Sequence, residues 1–238
     1  MLTNEGAARL TRAGRWPLSA PSGQEAAGGM TEIKERSGRK RPRRGEETRR
    51  QLIDACIDCL NERGYAGTSI EAVMAKAGIS RGSVLNQFPT RLDLMTATIE
   101  AAMRAMMADT RARFERIADP VERLRRLCDV YWETQSLPRS VAVTEVLLAA
   151  RWDTDLAAML GRVTKDIEIE LDTETRRRGE EAGVNDPEAL VVHARMLILS
   201  LRGMTLELMF DPDRQIIHHA LEEIRASHQA FCDRVLSG

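Results

Sequence analysis

The sequence predicts an all-α protein. Leu, Ala, Arg, Glu and Met dominate its 238 residues, and aromatic residues make up only 4%. This composition favours helices over sheets. With 43% hydrophobic residues the chain can bury a substantial core. Apolar residues recur at helical spacing from residue 46 onward, which predicts about nine helices: a three-helix N-terminal unit followed by a larger helical body.

Capping signals define the first helices of the N-terminal unit, which we place at residues 46–92. The first helix begins at Glu46 and ends at Gly64, because glycine is the usual residue just after a helix. Thr68 followed by Glu71 matches a capping box. This pair predicts the N-terminus of a second helix of only about two turns.

The next capping signals predict a short third helix and a long fourth one. Ser80 is an N-cap candidate for residues 81–87, which the Phe88-Pro89 pair ends. Thr90 and Asp93 form a second capping box, which opens a helix reaching about residue 117. Three Asp-Pro pairs mark later helix starts. The remaining helices are therefore predicted over 120–136, 139–151, 154–178, 187–209 and 212–236.

The formal net charge of -1 conceals an uneven charge distribution. Residues 31–50 hold 9 basic and 4 acidic residues, whereas residues 101–238 hold 19 basic and 24 acidic ones. We interpret residues 1–45 as a disordered tail that carries a basic arm. Two interpretations of residues 1–29 stay open: a genuine flexible tail, or residues upstream of a native start at Met30.

The sequence gives no indication of secretion or of a membrane partner. No stretch reaches the 18 or so consecutive apolar residues of a membrane span, and residues 1–20 lack the apolar segment of a secretory signal. The four cysteines are too few and too scattered for a disulfide framework. We therefore expect a cytoplasmic protein.

The second and third helices have the length and turn chemistry of a helix-turn-helix. Gly78 permits a sharp turn in the connection 77–80, and Ile79 and Val73 are expected to fill the small core between the helices. The second helix of such a motif enters the DNA major groove, so we expect double-stranded DNA as a partner. The outward candidates on that helix are Arg81, Gly82, Ser83, Asn86 and Gln87.

Three spaced segments resemble the DNA-binding domain of the tetracycline-repressor (TetR) family of regulators. They read GYAGTSI at 64–70, AGISRGS at 77–83 and FPTRLDL at 88–94, and the likeness covers about 46–100. It implies a three-helix head, a linking fourth helix, a ligand-binding body at 93–238 and a homodimer that a small molecule releases from DNA. By position, Thr68 and Arg91 would contact phosphates, while Arg81, Ser83 and Asn86 would face bases or nearby phosphates.

One position departs from the family pattern. Leu85 stands where the family commonly has a tyrosine, and leucine cannot donate a hydrogen bond to a phosphate. We expect Leu85 to pack against the first helix instead. The basic arm at 34–50, with Arg39, Lys40, Arg41, Arg43 and Arg44 just ahead of the first helix, would then contribute more to DNA binding. The alternative interpretation of this arm is a solubilising tail.

Two apolar stripes in the last two helices predict a dimer interface. The stripes repeat at alternating steps of four and three residues, and a hairpin of such helices can pair with a twofold copy in a four-helix bundle. The alternative is one helical core without a dimer. A histidine on an apolar face is also more often hydrogen-bonded than a metal ligand. The predicted interface residues are Leu197, Leu201, Leu208, Ile217, Leu221, Ile224, His228 and Phe231.

A cavity for a small lipophilic effector is expected among the fourth to eighth helices, because methionines and aromatic residues suit varied apolar ligands. Glu133, Glu145 and Arg195 are candidates for its polar anchor. The alternative is that the apolar residues only fill the core. The candidate wall residues are Met103, Met106, Met107, Tyr131, Trp132, Trp152, Met159 and Met196.

The rival class is an all-helical enzyme or interaction scaffold that carries a helix-turn-helix. The sequence shows no carboxylate pair, nucleophile with a base, metal-ligand spacing or phosphate loop on which an enzyme would depend. Cys56 and Cys59 are neighbours on the apolar face of the first helix, where core packing is favoured over zinc or redox chemistry. We expect no enzymatic activity, no cofactor and no metal site.

Overall fold

The computed structural model describes residues 42–237, with side chains from residue 45 onward. Within this range the chain is all-helical, as predicted, and no strand is present. It has one helix more than the nine expected. The ten helices are α1 (Pro42–Gly67), α2 (Ile70–Ala77), α3 (Arg81–Gln87), α4 (Arg91–Glu115), α5 (Pro120–Arg125), α6 (Leu127–Gln135), α7 (Pro138–Ala149), α8 (Thr154–Glu181), α9 (Pro187–Phe210) and α10 (Gln215–Leu236).

The predicted caps of the head are confirmed except at α2. Ser80 caps α3, and Thr90 and Asp93 form the complete capping box that opens α4. The N-cap of α2 is Ser69, whose side chain accepts a hydrogen bond from the amide of Ala72. The prediction of Thr68 as this cap was wrong by one residue. Both residue types suit an N-cap, and the sequence alone does not select between neighbours.

Two boundaries in the body differ from the prediction. The expected helix over 120–136 is broken at Arg126, which separates α5 from α6 and accounts for the extra helix. Asp211 was expected to start the last helix, but it ends α9 by donating its backbone amide to the Glu207 carbonyl. A short turn then leads to α10, whose N-cap is Arg214.

One core joins the head to the first half of the body. Buried apolar side chains of α1, α2, α3, α4, α7 and the start of α8 form a single cluster. Val73 and Val84 are fully buried at its centre, and Ile79 packs against it, as expected for a helix-turn-helix core. Cys56 and Cys59 also belong to this cluster. The head is therefore packed directly against α4 and α7.

A second core lies in the remainder of the body. It unites buried side chains of α4 (Phe114), α5, α6, α9 and α10. The two cores meet along α4, which contributes Leu94 and Ile99 to the first and Phe114 to the second. α4 is thus shared by the two cores.

α9 is unusually apolar for a helix on the edge of a body. Among the described residues it alone has the length and composition of a membrane span, with a mean hydropathy of 1.4 and 22% of that window buried. Its outward face exposes Val192, Met196, Leu199 and Phe210, with fractional exposures of 61%, 60%, 59% and 85%. Contiguous exposed apolar patches mark interaction sites. We therefore expect a binding partner to cover this face.

Candidate functional site

The turn between α2 and α3 has the geometry that a helix-turn-helix requires. Gly78 adopts φ 65 and ψ 30, in the left-handed region that favours glycine. The amide of Gly78 closes α2 on the carbonyl of Met74, and that of Ile79 lies 3.2 Å from the same oxygen. The Ser80 hydroxyl then accepts a hydrogen bond from the Ser83 amide to begin α3. The turn fixes the direction of α3 relative to α2.

The outer surface of α3 is polar and accessible. Arg81, Gly82, Ser83 and Asn86 are exposed and Gln87 is half-buried, whereas Val84 anchors the helix in the core. A Cβ added at Gly82 would meet nothing within 4 Å, so no contact within the protein explains the glycine. This surface matches the one predicted from the sequence, and its side chains offer donors and acceptors for base edges and phosphates.

Two details of this surface modify the expectations. The Arg81 guanidinium lies 2.8 Å from a carboxylate oxygen of Glu71 on α2, so it would have to exchange that ion pair for a DNA contact. Leu85 is 41% exposed, and the expectation that it packs against α1 was wrong. Leu85 lies on the accessible part of α3, where it offers apolar contact to a nucleic acid surface.

Thr68 and Arg91, the two predicted phosphate contacts, are engaged inside the head. Thr68 is fully buried, and its hydroxyl donates to the Gly64 carbonyl at 2.8 Å. The Arg91 guanidinium donates to the carbonyls of Thr68 and Tyr65 at 2.8 and 2.6 Å, and it lies 4.1 Å from the Tyr65 ring centroid. The buried Thr68 side chain therefore contradicts the expectation that it contacts a phosphate. Arg91 holds the end of α1 against the start of α2.

The basic arm lies mostly outside the described residues. Arg43 and Arg44 fall in the first turn of α1, and the structure does not describe their side chains. α1 begins at Pro42, four residues before the predicted start, so this part of the expected tail is helical. Arg49 is described, and its guanidinium lies 4.5 Å from the Phe88 ring centroid at the end of α3.

A polar contact links the head to α7 and α8. The amide of Tyr65 lies 3.4 Å from a Glu145 carboxylate oxygen, and the Tyr65 hydroxyl lies 3.3 Å from Asp153. Gly64 permits this approach with a φ of 66, and a Cβ there would lie 3.1 Å from the same Glu145 oxygen. Glu145, a candidate ligand anchor from the sequence, therefore contacts the head.

A partly open cavity of about 250 Å³ lies between α4, α6, α7, α8 and α9 of the body. Four of the eight predicted wall residues line it: Met103, Met106, Met107 and Tyr131. Arg195, one of the three anchor candidates, lines it as well. The other lining residues are Thr110, Arg111, Thr134, Gln135, Val143, Leu147, Thr164, Ile167, Glu168, Leu171, Glu174, Arg178, Ile198, Leu199 and Arg202.

The other predicted wall residues lie outside this cavity. Trp152 is 85% exposed at the end of α7, and Met196 is 60% exposed on the outward face of α9. Trp132 packs at the margin of the second core, and Met159 is half-buried on α8. Glu133 is exposed and pairs with Arg113. Residue type alone predicted these positions, and residue type does not show which face of a helix turns inward.

The predicted dimer stripe is buried within a single protomer. Leu201 and His228 have no exposed surface, Leu221 and Phe231 are 5% and 6% exposed, and Ile217 and Ile224 are half-buried. The buried members of the stripe, together with Leu197 and Leu208, face the interior of the body. For these side chains the expectation of an interface was wrong, because they complete the core of their own chain. For the half-buried Ile217 and Ile224 the interface stays a prediction. On the opposite face of α9, Val192, Met196, Leu199 and Phe210 stay exposed.

His228 is a hydrogen-bonded core residue. Its Nε2 donates to the Leu124 carbonyl at 2.9 Å, which leaves Nδ1 to accept from Nε2 of His193 at 3.0 Å. The His193 ring stacks on Phe231, with centroids 3.9 Å apart. Burial lowers the pKa of His193 to about 4 and also lowers that of His228. Neutral histidines fit this arrangement.

The part of the chain that the structure describes holds no cluster of three or more potential metal ligands. Its four cysteines are free and buried. Burial raises the pKa of the Cys56, Cys128 and Cys232 thiols to about 11 and raises that of Cys59. Thiols in this state are poor nucleophiles.

Comparison with known families matches residues 52–98 to the model described as "Bacterial regulatory proteins, tetR family". The matched segment contains most of α1, all of the helix-turn-helix and the start of α4. This segment of the chain belongs to the TetR family. This match confirms the resemblance that the three spaced motifs indicate.

Relatives show how far this TetR-family likeness extends. The regulator CymR of Pseudomonas putida is 35% identical over 91 residues, which are 38% of this chain and 45% of CymR. The chain thus spans about half the length of this curated relative. A TetR-family regulator from Cytophaga hutchinsonii has the same fold, with a TM-score of 0.62, 15% identity and coverage of 83% of this chain and 98% of that one.

A third relative is the multidrug binding protein EbrR, whose structure was solved with imidazole. It has a TM-score of 0.50 and 25% identity, and the alignment covers 77% of this chain and 93% of that one. The fold likeness therefore includes the helical body as well as the head.

Proposed function

We propose that this TetR-family chain is a dimeric, ligand-responsive transcriptional regulator, a repressor that a small lipophilic effector releases from a palindromic operator. The observation that carries the proposal is the exposed polar surface of α3, held on a capped and fully packed helix-turn-helix. A cytoplasmic location follows from this role.

The proposed DNA-contacting residues are the exposed ones of α3 together with the arm. Arg81, Ser83, Asn86 and Gln87 would reach base edges or phosphates, and Gly82 would allow close approach of the DNA backbone. Arg43 and Arg44 would add phosphate contacts that increase the salt dependence of binding. Arg91 would support this surface from within the head rather than contact DNA through its two engaged nitrogens.

A second copy of the chain is the proposed occupant of the outward face of α9. Val192, Met196, Leu199, Leu206 and Phe210 follow a helical stripe, and the exposed Gly203 interrupts it with a residue that permits close helix approach. A twofold dimer presents the same face of both copies. It would also supply the two α3 helices that a palindromic site requires.

The cavity is the proposed effector site. It is lined by three methionines of α4 and by polar groups of α8 and α9, and such mixed linings are typical of ligand sites. That EbrR is described as a multidrug binding protein supports ligand binding in a body of this fold. A ligand that prefers one dimer arrangement would shift the population away from the DNA-bound form.

Selection of binding sites from random duplexes tests the proposal. We expect the full-length protein to enrich a palindrome, and Asn86→Ala to lose the preference at one position of each half-site, with a cost of about 1–3 kcal/mol. Lys165→Ala, an exposed cation on α8 in the body, is the matched control and should enrich the wild-type palindrome.

The outcomes separate the proposal from its rival. An enriched palindrome that Asn86→Ala alters supports a regulator that reads DNA through α3. If no sequence is enriched at low salt, the regulator proposal fails, and a helical scaffold or enzyme that carries a helix-turn-helix becomes the better account.

A further inference from the structure

A buried arginine occupies one end of the cavity without a full set of partners. Arg178 of α8 is 7% exposed, and its Nη2 donates to Glu174 at 2.8 Å. Its guanidinium carbon lies 4.4 Å from the Phe114 ring centroid. Its Nη1 is buried and has no hydrogen-bond partner among the described residues. A buried N–H group without an acceptor lowers the stability of the folded protein. We therefore expect a hydrogen-bond acceptor to bind at Nη1.

The Tyr131 hydroxyl provides a second donor at the same end. Tyr131 is 3% exposed and lines the cavity. Burial raises the pKa of its hydroxyl, and the Thr175 hydroxyl and the charges of Arg178 and Arg195 partly offset this. The hydroxyl is therefore protonated at neutral pH and can donate a hydrogen bond. One guanidinium N–H and one phenol O–H match the two oxygens of a carboxylate.

The charge of the whole cavity favours an anion. Four arginines line it, namely Arg111, Arg178, Arg195 and Arg202, against two carboxylates, Glu168 and Glu174. Arg195 is paired with Glu168 and Asp172 at 3.5 and 2.5 Å. Arg202 has no carboxylate within 4.0 Å in the described chain, and its Nε is a second buried nitrogen without a partner.

The two incompletely paired arginines lie at different ends of the cavity. The charged groups near Arg202 are Arg195 and Glu168, whereas those near Arg178 are Glu174, Arg177 and Arg111. Residues 168 and 178 are ten positions apart on α8, which corresponds to about 15 Å. Arg178 is buried whereas Arg202 is half-buried, so the Arg178 end is the deeper of the two. The exposed Leu199 lines the cavity from α9.

The apolar part of the cavity lies toward the end opposite Arg178, because Phe114 contacts Arg178 whereas Arg104, earlier on α4, pairs with Glu170. Met103, Met106 and Met107 precede Arg111 along α4, and Val143 and Leu147 face them from α7. Flexible thioether side chains adapt to an alkyl or aryl group of varied shape. A ligand with its head at Arg178 would extend its apolar part along these side chains.

We infer that the ligand of this cavity is an amphipathic monocarboxylate, with its carboxylate held by Arg178 and Tyr131 and its apolar tail packed on the methionines of α4. This inference rests on the proposed function for the existence of an effector, and it adds the chemical class and the orientation of that effector. A neutral molecule would leave Nη1 of Arg178 without a charged acceptor, and a cation would be repelled by the four arginines.

Calorimetric titration with matched straight-chain compounds tests the inference. The probes are decanoate, 1-decanol and decyltrimethylammonium, with hexanoate and octanoate to vary the tail. We expect at least one carboxylate to bind about 10- to 100-fold more tightly than the alcohol of the same length, the range given by charge-assisted hydrogen bonds. The cation should not bind.

Substitutions locate the carboxylate within the cavity. Tyr131→Phe and Arg178→Met are expected to reduce the preference for carboxylate over alcohol, with Arg178→Met bringing the ratio close to one. Arg162→Met is the matched control on the same helix, because Arg162 is exposed and does not line the cavity. It should keep the wild-type ratio. Thermal unfolding of each variant verifies that it is folded.

Three results would overturn the inference. They are equal binding of alcohol and carboxylate, absence of binding by every carboxylate, or a preference that Arg202→Met removes while Arg178→Met does not. Sequence-specific DNA binding is measured on the same preparation. A protein that binds its selected duplex but fails these titrations refutes the ligand class alone, whereas a protein that binds carboxylate but no DNA refutes the proposed function alone.

Discussion

The outward face of α9 leads to a quantitative prediction about dimerisation. Met196 is 60% exposed in the protomer, and complete burial of such a side chain contributes about 1.5–3 kcal/mol. Burying the exposed part in a dimer would therefore contribute roughly 1–2 kcal/mol per copy. Because a twofold interface contains the residue twice, Met196→Ala should weaken the dimer by about 2–4 kcal/mol, or roughly 30- to 1000-fold in Kd.

Sedimentation equilibrium over a range of protein concentrations measures this change in Kd. Ile169→Ala is the matched control, because Ile169 is an aliphatic residue of α8 that is 56% exposed and lies outside the stripe. It should leave the dimer unchanged. A Met196→Ala variant that dimerises like the wild type, or an equal effect of Ile169→Ala, would refute the assignment of this face. Flotation with lipid vesicles would then test a membrane as the occupant.

Three further predictions concern the head and the histidine pair. Arg91→Gln should lower the free energy of unfolding by about 2–4 kcal/mol in denaturant titrations, because two charge-assisted hydrogen bonds and a cation–π contact are lost; an unchanged midpoint would contradict its role. Gly78→Ala should cost about 1–2 kcal/mol, since alanine is strained at φ 65, whereas Gly82→Ala, in open space inside α3, should raise the free energy of unfolding by up to about 1 kcal/mol, because alanine is the better helix former. For His193, the folded-state pKa of about 4 lies below the value of 6.5 expected for the unfolded chain. Its stabilising contribution is complete above pH 6.5 and is lost as the pH falls toward 4, by on the order of 1–2 kcal/mol; His193→Phe should flatten this dependence, and an unaltered pH profile would count against it.

The fold was predictable because local signals at the helix ends agree with the tertiary structure. The Thr90 and Asp93 capping box, the Ser80 cap and the left-handed Gly78 all depend on residues close in sequence. Such short-range chemistry determines where helices begin and end. At α2 two adjacent hydroxyl residues compete for the N-cap, and the difference between Thr68 and Ser69 depends on tertiary packing.

The site was only partly predictable, because periodicity shows that a face is apolar but not what covers it. The stripe containing Leu201 and Phe231 looked like an interface, yet it closes the core of its own chain. Arg178 was missed, because a charged residue in a helix of alternating charges is typical of a solvated surface. Its burial against Phe114 arises from how α8 packs on α4, and no local pattern reports that packing.

The proposal that α3 reads DNA sequence is tested most directly by one pair of affinities. Fluorescence anisotropy gives the Kd of the full-length protein for its selected palindrome and for a shuffled duplex of the same length and composition, at physiological salt. The account predicts that the palindrome binds at least about 1000-fold more tightly, the lower range for specific over non-specific binding. Equal affinities for the two duplexes at every salt concentration would contradict it.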